Sequence, residues 1–415
     1  MELLEASRRQ ILADLNQARE RTEQLFSALL PEHLYDRPIA ERHRVVFYIG
    51  HLEAFDYIQI CREGLKQKSR EPALDTLFQA GIDPDSQSLP TDIPSDWPSL
   101  PQIRKYVEQA RRAVDDALEI APDETICMAV EHRLMHLETL AYMWHNFDYG
   151  AKRRTDGISL LDEHLDGAEH RNEWCDIAAG PAVLGKSRDH SFAWDNEYDE
   201  HTVEVPAFRA QRYKVTNGEY LQFVKAGAKP PRFWTSRSGK LYYRGMFEEV
   251  PLPLDWPVYV THREASAYAQ WIGKSLPTEA QYHRAAYGAP LDAPFQRNRE
   301  FPWGKLDPGP ELGNFDFRRW DPESVRAAPQ SESAFGVRQM IGNGWEWTDT
   351  VFAPFAGFSP STTYPGYSAN FFDNAHFVIK GGSPRTSARL LRPSFRNWFR
   401  PEYPYVYAGF RCVEN

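Results

Sequence analysis

The feature that most constrains the fold is a change of sequence character between residues 150 and 176. Before it, apolar residues recur at helical spacing, and Pro31 and Pro122 interrupt the pattern. After it, the chain is rich in Gly, Pro and aromatic residues, and its regular stretches are short. One core does not satisfy both patterns in a chain of 415 residues, so we predict two domains.

The N-terminal domain, residues 1–150, is predicted to be a helical bundle. Its helices are expected at about 1–30, 41–66, 101–120 and 124–147, the third capped by Ser99. Residues 70–100 are rich in Pro, Asp and Ser and predict a long loop, and long ordered loops are often functional. Four helices of this length favour an up-and-down bundle whose inward side chains hold a cofactor.

The second domain is predicted to be a mixture of short strands, loops and a few helices. Polar and charged residues at 151–175 predict a linker, and residues 176–415 form the domain itself. Helices are expected at Asn217–Lys225, Arg263–Gly273 and Glu279–Tyr287, with Asn217, Thr261 and Thr278 as N-caps. The fold class is therefore predicted to be α+β.

A pair of histidines in the fourth predicted helix is the strongest candidate for a functional site. His132 and His136 are four residues apart, so they lie on one face of a helix and can bind one metal ion. His51, in the second helix, can complete a three-histidine site. Glu53 or Asp56 from the same helix would instead give a site of two histidines and one carboxylate.

Composition limits the class of protein. The net charge of −10 argues against nucleic acid as a partner, because a nucleic-acid-binding protein needs a basic face. The sequence has no run of 18 apolar residues and no apolar signal-peptide core at its start, so no membrane association is expected. The four cysteines are scattered without a CxxC motif, which predicts reduced thiols and a cytoplasmic location.

Five motifs carry a resemblance to a known fold. The C-terminal half resembles the formylglycine-generating-enzyme or sulfatase-modifying-factor domain, a compact C-type-lectin-like fold. The motifs are YKVTNGEYLQFV (213–224), SLPTEAQYHRAA (275–286), GNGWEWT (342–348), KGGSPRT (380–386) and AGFRC (408–412). GHLEAFD around His51 and the histidine pair near residue 134 are similar to a DinB-like four-helix bundle. This order of domains resembles the EgtB-like non-haem iron sulfoxide synthases of ergothioneine, ovothiol and selenoneine biosynthesis.

The resemblance implies a cofactor and a reaction. His51, His132 and His136 would bind Fe(II) at the domain interface, and O₂ would be a co-substrate. The enzyme would join a small thiol, or a selenium donor such as a selenosugar, to the imidazole ring of hercynine, which is Nα-trimethylhistidine. A face of three nitrogens leaves positions on the metal for such ligands. Iron would select the deprotonated thiolate.

The chain departs from the mycobacterial type of this family at several positions. His376 stands where that type has a catalytic tyrosine, and Tyr405 and Tyr407 are the other candidate proton donors. Met135 stands where that type has an amide that contacts the imidazole, and a thioether does not donate a hydrogen bond. Arg70 is the only arginine in the sequence of the 70–100 loop. This favours cysteine or a selenium donor over γ-glutamylcysteine as the co-substrate.

Further substrate-binding residues are predicted from their chemistry. A quaternary ammonium group favours aromatic faces, and an arginine or an amide suits a carboxylate or an imidazole nitrogen. The resemblance also places substrate-binding residues near the end of the chain. The residues predicted on these grounds are Tyr367, Phe371, Phe372, Arg396, Asn397, Glu414 and Asn415.

Two other functions remain open at this point. A DinB-type thiol transferase would need a metal but no O₂, with the second domain acting as a binding lid. A non-catalytic binding module would retain the histidines without turnover. The absence of a catalytic cysteine pair argues against sulfatase activation of the formylglycine-generating type.

Overall fold

A computed structural model describes residues 2–81, 89–154, 172–189, 191–290 and 299–415. The chain forms two compact units, Met1–Gly157 and Ile158–Asn415. The described part of the first unit is helical, and the second mixes short helices with small sheets. The predicted α+β fold class is therefore confirmed. The predicted linker at 151–175 lies largely outside the described residues.

Five α-helices form the described part of the first unit. They are α1 (Glu2–Ser27), α2 (Val45–Tyr57), α3 (Pro72–Phe78), α4 (Leu100–Ala117) and α5 (Asp123–His145). The prediction that the second helix starts near residue 41 was wrong. Arg44 has extended backbone angles, so the helix begins at Val45, and it continues after Tyr57 as a π-helix over Ile58–Gly64.

The predicted loop at 70–100 contains regular structure that the sequence did not indicate. Helix α3 begins at Pro72, where the fixed φ of proline suits the first helical turn. A 3₁₀ turn follows at Pro94–Asp96. Residues 82–88 of this segment are not described. The prediction of one long loop therefore has to be corrected for these two elements.

Helix α5 is the central element of the bundle. Nearly every side chain from Thr125 to His145 is buried, because other helices surround it, whereas α4 buries only one face. None of the helices that the structure describes carries an apolar stretch long enough to cross a bilayer.

Three further helices lie in the described part of the second unit: α6 (Asn217–Lys225), α7 (His262–Trp271) and α8 (Glu279–Tyr287). Thr261 and Thr278 cap α7 and α8 as predicted. The cap predicted for α6 was wrong by one residue, because the hydroxyl of Thr216 accepts from the backbone N–H of Glu219 at 3.2 Å. Asn217 instead donates to the backbone oxygen of Pro253 and accepts from the indole of Trp234.

Twelve short strands form four small sheets in the described residues of this unit. Their bounds are β1 (Trp174–Ile177), β2 (Gly180–Leu184), β3 (His201–Val205), β4 (Phe208–Gln211), β5 (Trp234–Arg237), β6 (Lys240–Arg244), β7 (Glu249–Pro251), β8 (Trp345–Val351), β9 (Phe377–Lys380), β10 (Asn397–Phe399), β11 (Ala408–Gly409) and β12 (Val413–Glu414). The sheets have the orders β1-β4-β12, β2-β3, β5-β6-β7 and β10-β9-β8-β11.

The recognisable motifs build the interior of this unit. Trp345 and Trp347 of GNGWEWT are buried on β8. Between them, the carboxylate of Glu346 accepts from both ends of the Arg411 guanidinium, at 2.6 and 2.8 Å, and Lys214 lies 3.1 Å away. Three motifs that are far apart in sequence therefore meet at one buried charge cluster, where every ion has a partner.

Candidate metal centre

Helices α2 and α5 bring three histidines together. His132 and His136 face the same way from successive turns of α5, and His51 points towards them from α2. The Nε2 atom of His136 lies 3.1 Å from Nε2 of His51 and 3.1 Å from Nε2 of His132. The candidate donor atoms all lie within 4.8 Å of one another. Among the residues that the structure describes, this is the one such cluster of His, Cys, Asp or Glu.

The three imidazoles are buried and neutral. Burial, which disfavours the charged ring, lowers the pKa of His51 to about 4. Burial also holds the pKa values of His132 and His136 well below the usual value of 6.5, and the neighbouring histidines are the second cause. Each ring therefore carries one unprotonated nitrogen at neutral pH, as a metal ligand must.

The protons of these rings do not satisfy both of the 3.1 Å contacts. Nδ1 of His51 donates to the backbone oxygen of Phe78 at 2.7 Å, so its Nε2 has only a lone pair. If His136 donates to His51, it has no lone pair left on Nε2 for His132. If Nε2 of His136 instead accepts from His132, its lone pair faces the lone pair on Nε2 of His51 across the other contact. A cation bound by all three Nε2 atoms removes this conflict, so the residues fit a metal ion.

The donor set also limits the chemistry. Imidazole nitrogen suits zinc, copper, iron and nickel, and three ligands on one side leave the other positions of the metal open. Closed structural sites normally use four protein ligands, whereas open sites bind a substrate or water. The arrangement is therefore of the kind that carries out chemistry.

The predicted alternative with one carboxylate ligand was wrong. The guanidinium of Arg133, on α5, is fully buried and forms ion pairs with Glu53 at 3.2 Å and with Asp56 at 2.5 Å. A second arginine, Arg111, donates to Glu53 at 2.6 Å. Both carboxylates therefore serve a charge cluster that joins α2 to α4 and α5, and neither belongs to the histidine cluster.

Aromatic rings hold two of the histidines in place. Phe55 stacks on His132 with ring centroids 3.4 Å apart and planes 9° apart, and Phe47 stacks on His51 at 4.8 Å. Sequence reasoning missed both residues. Phe55 follows His51 by four residues in GHLEAFD, so helical spacing was the signal that placed it on the same face.

His376 lies in the second unit, next to an acidic partner. It is buried on the segment before β9, and Asp373 Oδ1 lies 2.9 Å from its Nδ1. Burial alone would raise the pKa of Asp373, but the hydrogen bonds from His376 and from the backbone N–H of Ala375 lower it. This His–Asp pair leaves Nε2 of His376 as the ring atom that can exchange a proton.

The predicted aromatic residues lie around Trp398, two of them in ring contact with it and the third through Phe352. Tyr367 and Phe371 each lie 5.5 Å from the ring of Trp398, which is only partly buried. Phe372 packs instead against Phe352 and Phe358, at 4.9 and 5.0 Å. Phe352 in turn stacks on Trp398, with ring centroids 4.1 Å apart, so all three predicted residues belong to one aromatic cluster.

The remaining predicted residues have partners of different kinds. Arg396 is buried and bonds Glu279 through Nε and Nη2, at 3.0 and 3.1 Å, so a substrate carboxylate would have to displace Glu279. Glu414 lies 3.1 Å from Lys274. Asn415 accepts from Gln281 at 2.7 Å. Asn397 is partly buried on β10.

The two candidate tyrosines differ in exposure, and Met135 lies close to the centre in sequence. Tyr405 is partly buried under the guanidinium of Arg232, 4.5 Å from the ring centroid. Tyr407 is 1% exposed, between the rings of Phe233 and Tyr259. Met135 is partly buried on α5, directly before His136.

Burial makes three of the four cysteines poor nucleophiles. All four are free, and burial raises the pKa of Cys61 to about 11 and also raises those of Cys175 and Cys412. A thiol with a raised pKa is a poor nucleophile. The four free cysteines agree with the predicted reduced thiols.

Comparison with known proteins assigns the C-terminal part of the chain to a known domain family. Residues 166–415 match the model of the sulfatase-modifying factor enzyme 1-like domain. A protein named hercynine oxygenase from Mycolicibacterium thermoresistibile is 33% identical over 398 residues, which cover 89% of this chain and 86% of that protein. A hercynine oxygenase of Mycolicibacterium smegmatis is 31% identical over 449 residues, covering 98% and 99%. Ergothioneine biosynthesis protein 1 of Neurospora crassa is 28% identical and spans 93% of this chain, which covers 56% of the fungal protein.

The C-terminal unit is thus a sulfatase-modifying factor enzyme 1-like domain. Because the match to the bacterial relatives extends through the helical unit as well, the chain belongs to the EgtB-like family that includes the hercynine oxygenases. The family predicted from the sequence motifs is confirmed.

Proposed function

We propose that the protein forms a carbon–sulfur or carbon–selenium bond on the imidazole of hercynine, with Fe(II) held by His51, His132 and His136 and with O₂ as co-substrate. The observation that carries the proposal is the convergence of three neutral, buried imidazole nitrogens. The name of the bacterial relatives, hercynine oxygenase, supports hercynine as the substrate and an oxidative reaction, and the fungal relative is named for ergothioneine biosynthesis. Bound iron would supply the activation of O₂.

The residues of the chain then have definite tasks. The hydrogen bond from His51 to Phe78 fixes which ring nitrogen faces the metal, and Phe55 and Phe47 fix the planes of two rings. Burial of the cluster excludes bulk water, which would compete for the open positions.

In the second unit, His376 is proposed to transfer a proton, with Asp373 holding its Nδ1–H. Tyr405 and Tyr407 remain the alternative donors, and Tyr405 is the more accessible of the two. Tyr367 and Phe371 are proposed to contact the trimethylammonium group beside Trp398, with Phe372 behind them. Asn397, Glu414 and Asn415 are proposed to bind the polar groups of the substrates. Arg396 is proposed to bind a substrate carboxylate in place of Glu279, its partner in the described structure.

The donor is proposed to be cysteine or a selenium donor such as a selenosugar. Arg70 is the one arginine in the 70–100 segment, so a donor that needs two arginines for its carboxylates is disfavoured. Selenoneine-type and ergothioneine-type chemistry use the same acceptor ring, so the donor distinguishes them.

A product analysis tests the proposal. The protein is loaded with Fe(II) without air and exposed to O₂ with hercynine and one donor at a time: cysteine, γ-glutamylcysteine or a selenosugar. Mass spectrometry is expected to find a hercynine sulfoxide conjugate with a thiol, or a selenium adduct, and thereby to name the donor. No hercynine product from any donor, in protein that holds one iron per chain, would overturn the assignment.

A DinB-type thiol transferase is the rival function. It would use the same three histidines and a metal, but its turnover would not consume O₂. Transfer of a thiol in the absence of O₂ would favour this rival and contradict the oxygenase reading.

A further inference from the structure

The short helix α3 ends against the candidate metal centre. Its last residue, Phe78, is fully buried, and its backbone oxygen accepts the Nδ1–H of His51 at 2.7 Å. The last turn of a helix leaves its C=O groups without partners inside the helix. The Phe78 oxygen is such a group, so α3 offers His51 an acceptor from a position that the fold fixes.

Helix α3 is itself held by a buried carboxylate. Asp75 is 1% exposed and accepts from the hydroxyls of Tyr106, on α4, and of Ser69, each at 2.7 Å. Arg62, on the π-helix, donates to it at 3.4 Å. Three other segments of the first unit therefore fix where α3 ends. None of these residues touches the histidine cluster itself.

A glycine in α2 allows this close approach. Gly50 precedes His51 in the middle of the helix, where glycine is about 1 kcal/mol less favourable than alanine. A Cβ atom at this position would lie under 3.0 Å from three ring carbons of Phe78, a distance that real Cβ atoms do not adopt. The ring is enclosed, with Phe47 and Tyr106 at centroid distances of 6.3 and 5.5 Å. It therefore has little room to move away.

We propose that α3 is a positioning element for the metal ligand His51, and that Gly50, Asp75 and Tyr106 act on the metal through the backbone oxygen of Phe78. An acceptor for Nδ1–H fixes the tautomer and ring plane of a ligating histidine and makes its other nitrogen a better donor. The hydrogen bond from Tyr106 to Asp75 transmits the position of α4 to this acceptor. The inference rests on the proposed function, since it needs a metal at the three histidines.

Metal affinity of the full-length protein tests the proposal. The metal-free protein is titrated with Co(II), whose ligand-field absorption reports on the ligand geometry. Gly50→Ala is expected to weaken Co(II) binding about 10- to 100-fold, the usual loss when an outer partner of a ligand is disturbed. Gly150→Ala is the matched control, because a Cβ there meets nothing within 4 Å. It is expected to bind as the wild type does.

Two further variants separate positioning from a general loss of structure. Tyr106→Phe removes only one of the donors to Asp75, the hydroxyl from α4, and it is expected to weaken Co(II) binding and alter the absorption band. Tyr35→Phe loses a comparable hydroxyl, bonded to Pro98 at 2.9 Å, and is expected to change neither. The double variant Gly50→Ala with Phe78→Leu provides space for the new Cβ while keeping the backbone oxygen. It is expected to recover most of the lost affinity.

The outcomes distinguish this proposal from the proposed function. If the wild type takes up no Co(II), the metal centre itself is refuted. If the wild type binds Co(II), and Gly50→Ala and Tyr106→Phe bind it with wild-type affinity and spectrum, the role of α3 is overturned while the metal centre stands.

Discussion

At the scale of residues, the centre depends on three nitrogens that are better partners for a cation than for one another. His51 is fixed as a lone-pair donor by its bond to Phe78, and at most one of the two 3.1 Å contacts can be a hydrogen bond between neutral rings. A site of this kind is built at a cost to the metal-free protein, because buried polar atoms without partners are unfavourable. Nδ1 atoms of His132 and His136 are such atoms in the described structure.

Removing one ligand is expected to abolish tight metal binding without unfolding the protein. His132→Ala should weaken Co(II) affinity by more than about 100-fold, since it removes a ligand rather than an outer partner. The thermal midpoint of the metal-free variant should fall below that of the wild type, because the missing ring leaves a cavity against Phe55, but circular dichroism should still show a folded protein. His33→Ala, outside the cluster, should bind metal normally. Wild-type affinity in His132→Ala would show that the metal lies elsewhere.

The buried arginine beside the cluster is expected to matter for stability. Arg133→Met leaves Glu53 and Asp56 buried without their shared cation, and breaking a buried pair in this way costs about 3–5 kcal/mol. Urea unfolding of the metal-free protein measures this loss. Arg112→Met removes an exposed pair, in which Nη2 lies 4.0 Å from Glu108, and should change stability by less than about 1 kcal/mol. Equal effects of the two substitutions would contradict the role given to burial.

At the scale of elements, the two units use different means to place their side chains. In the first, long helices fix spacing, so that His132 and His136 could be predicted to share a face. In the second, short strands and capped turns place residues that are distant in sequence, such as Lys214, Glu346 and Arg411.

The start of helix α7 buries a histidine whose protonation affects stability in acid. His262, directly after the cap Thr261, stacks on Phe377 at 3.8 Å and is buried.

Stability is expected to fall in acid partly through His262. Burial lowers its pKa from 6.5 to about 4, so the unfolded state binds a proton more readily than the folded state between these values. This histidine therefore destabilises the fold as pH drops from 6.5 to 4, by at most about 1.4 kcal/mol per pH unit. His262→Phe keeps an aromatic ring and should show a shallower loss of unfolding free energy across this range. Parallel curves for the variant and the wild type would contradict the assignment.

At the scale of the whole molecule, the sequence predicted the fold class, the family and the three histidines that cluster. It did not predict α3, because seven residues in a segment rich in Pro and Asp carry too little periodicity to indicate a helix. It also left open whether Glu53 or Asp56 joins the histidines, since only the packed structure shows that Arg133 binds both. Local patterns therefore identified residues that act through helical spacing. They missed those whose role depends on a partner far along the chain, and they also missed Phe55, although it follows His51 by four residues.

The most direct test of the central claim is the uptake of O₂ by the Fe(II)-loaded protein with hercynine and a donor present. O₂ is expected to be consumed only when both substrates are present, and His132→Ala is expected to consume none. Conversion of hercynine without O₂ uptake, or uptake unchanged in His132→Ala, would contradict the claim that the three histidines form an oxygen-using metal centre.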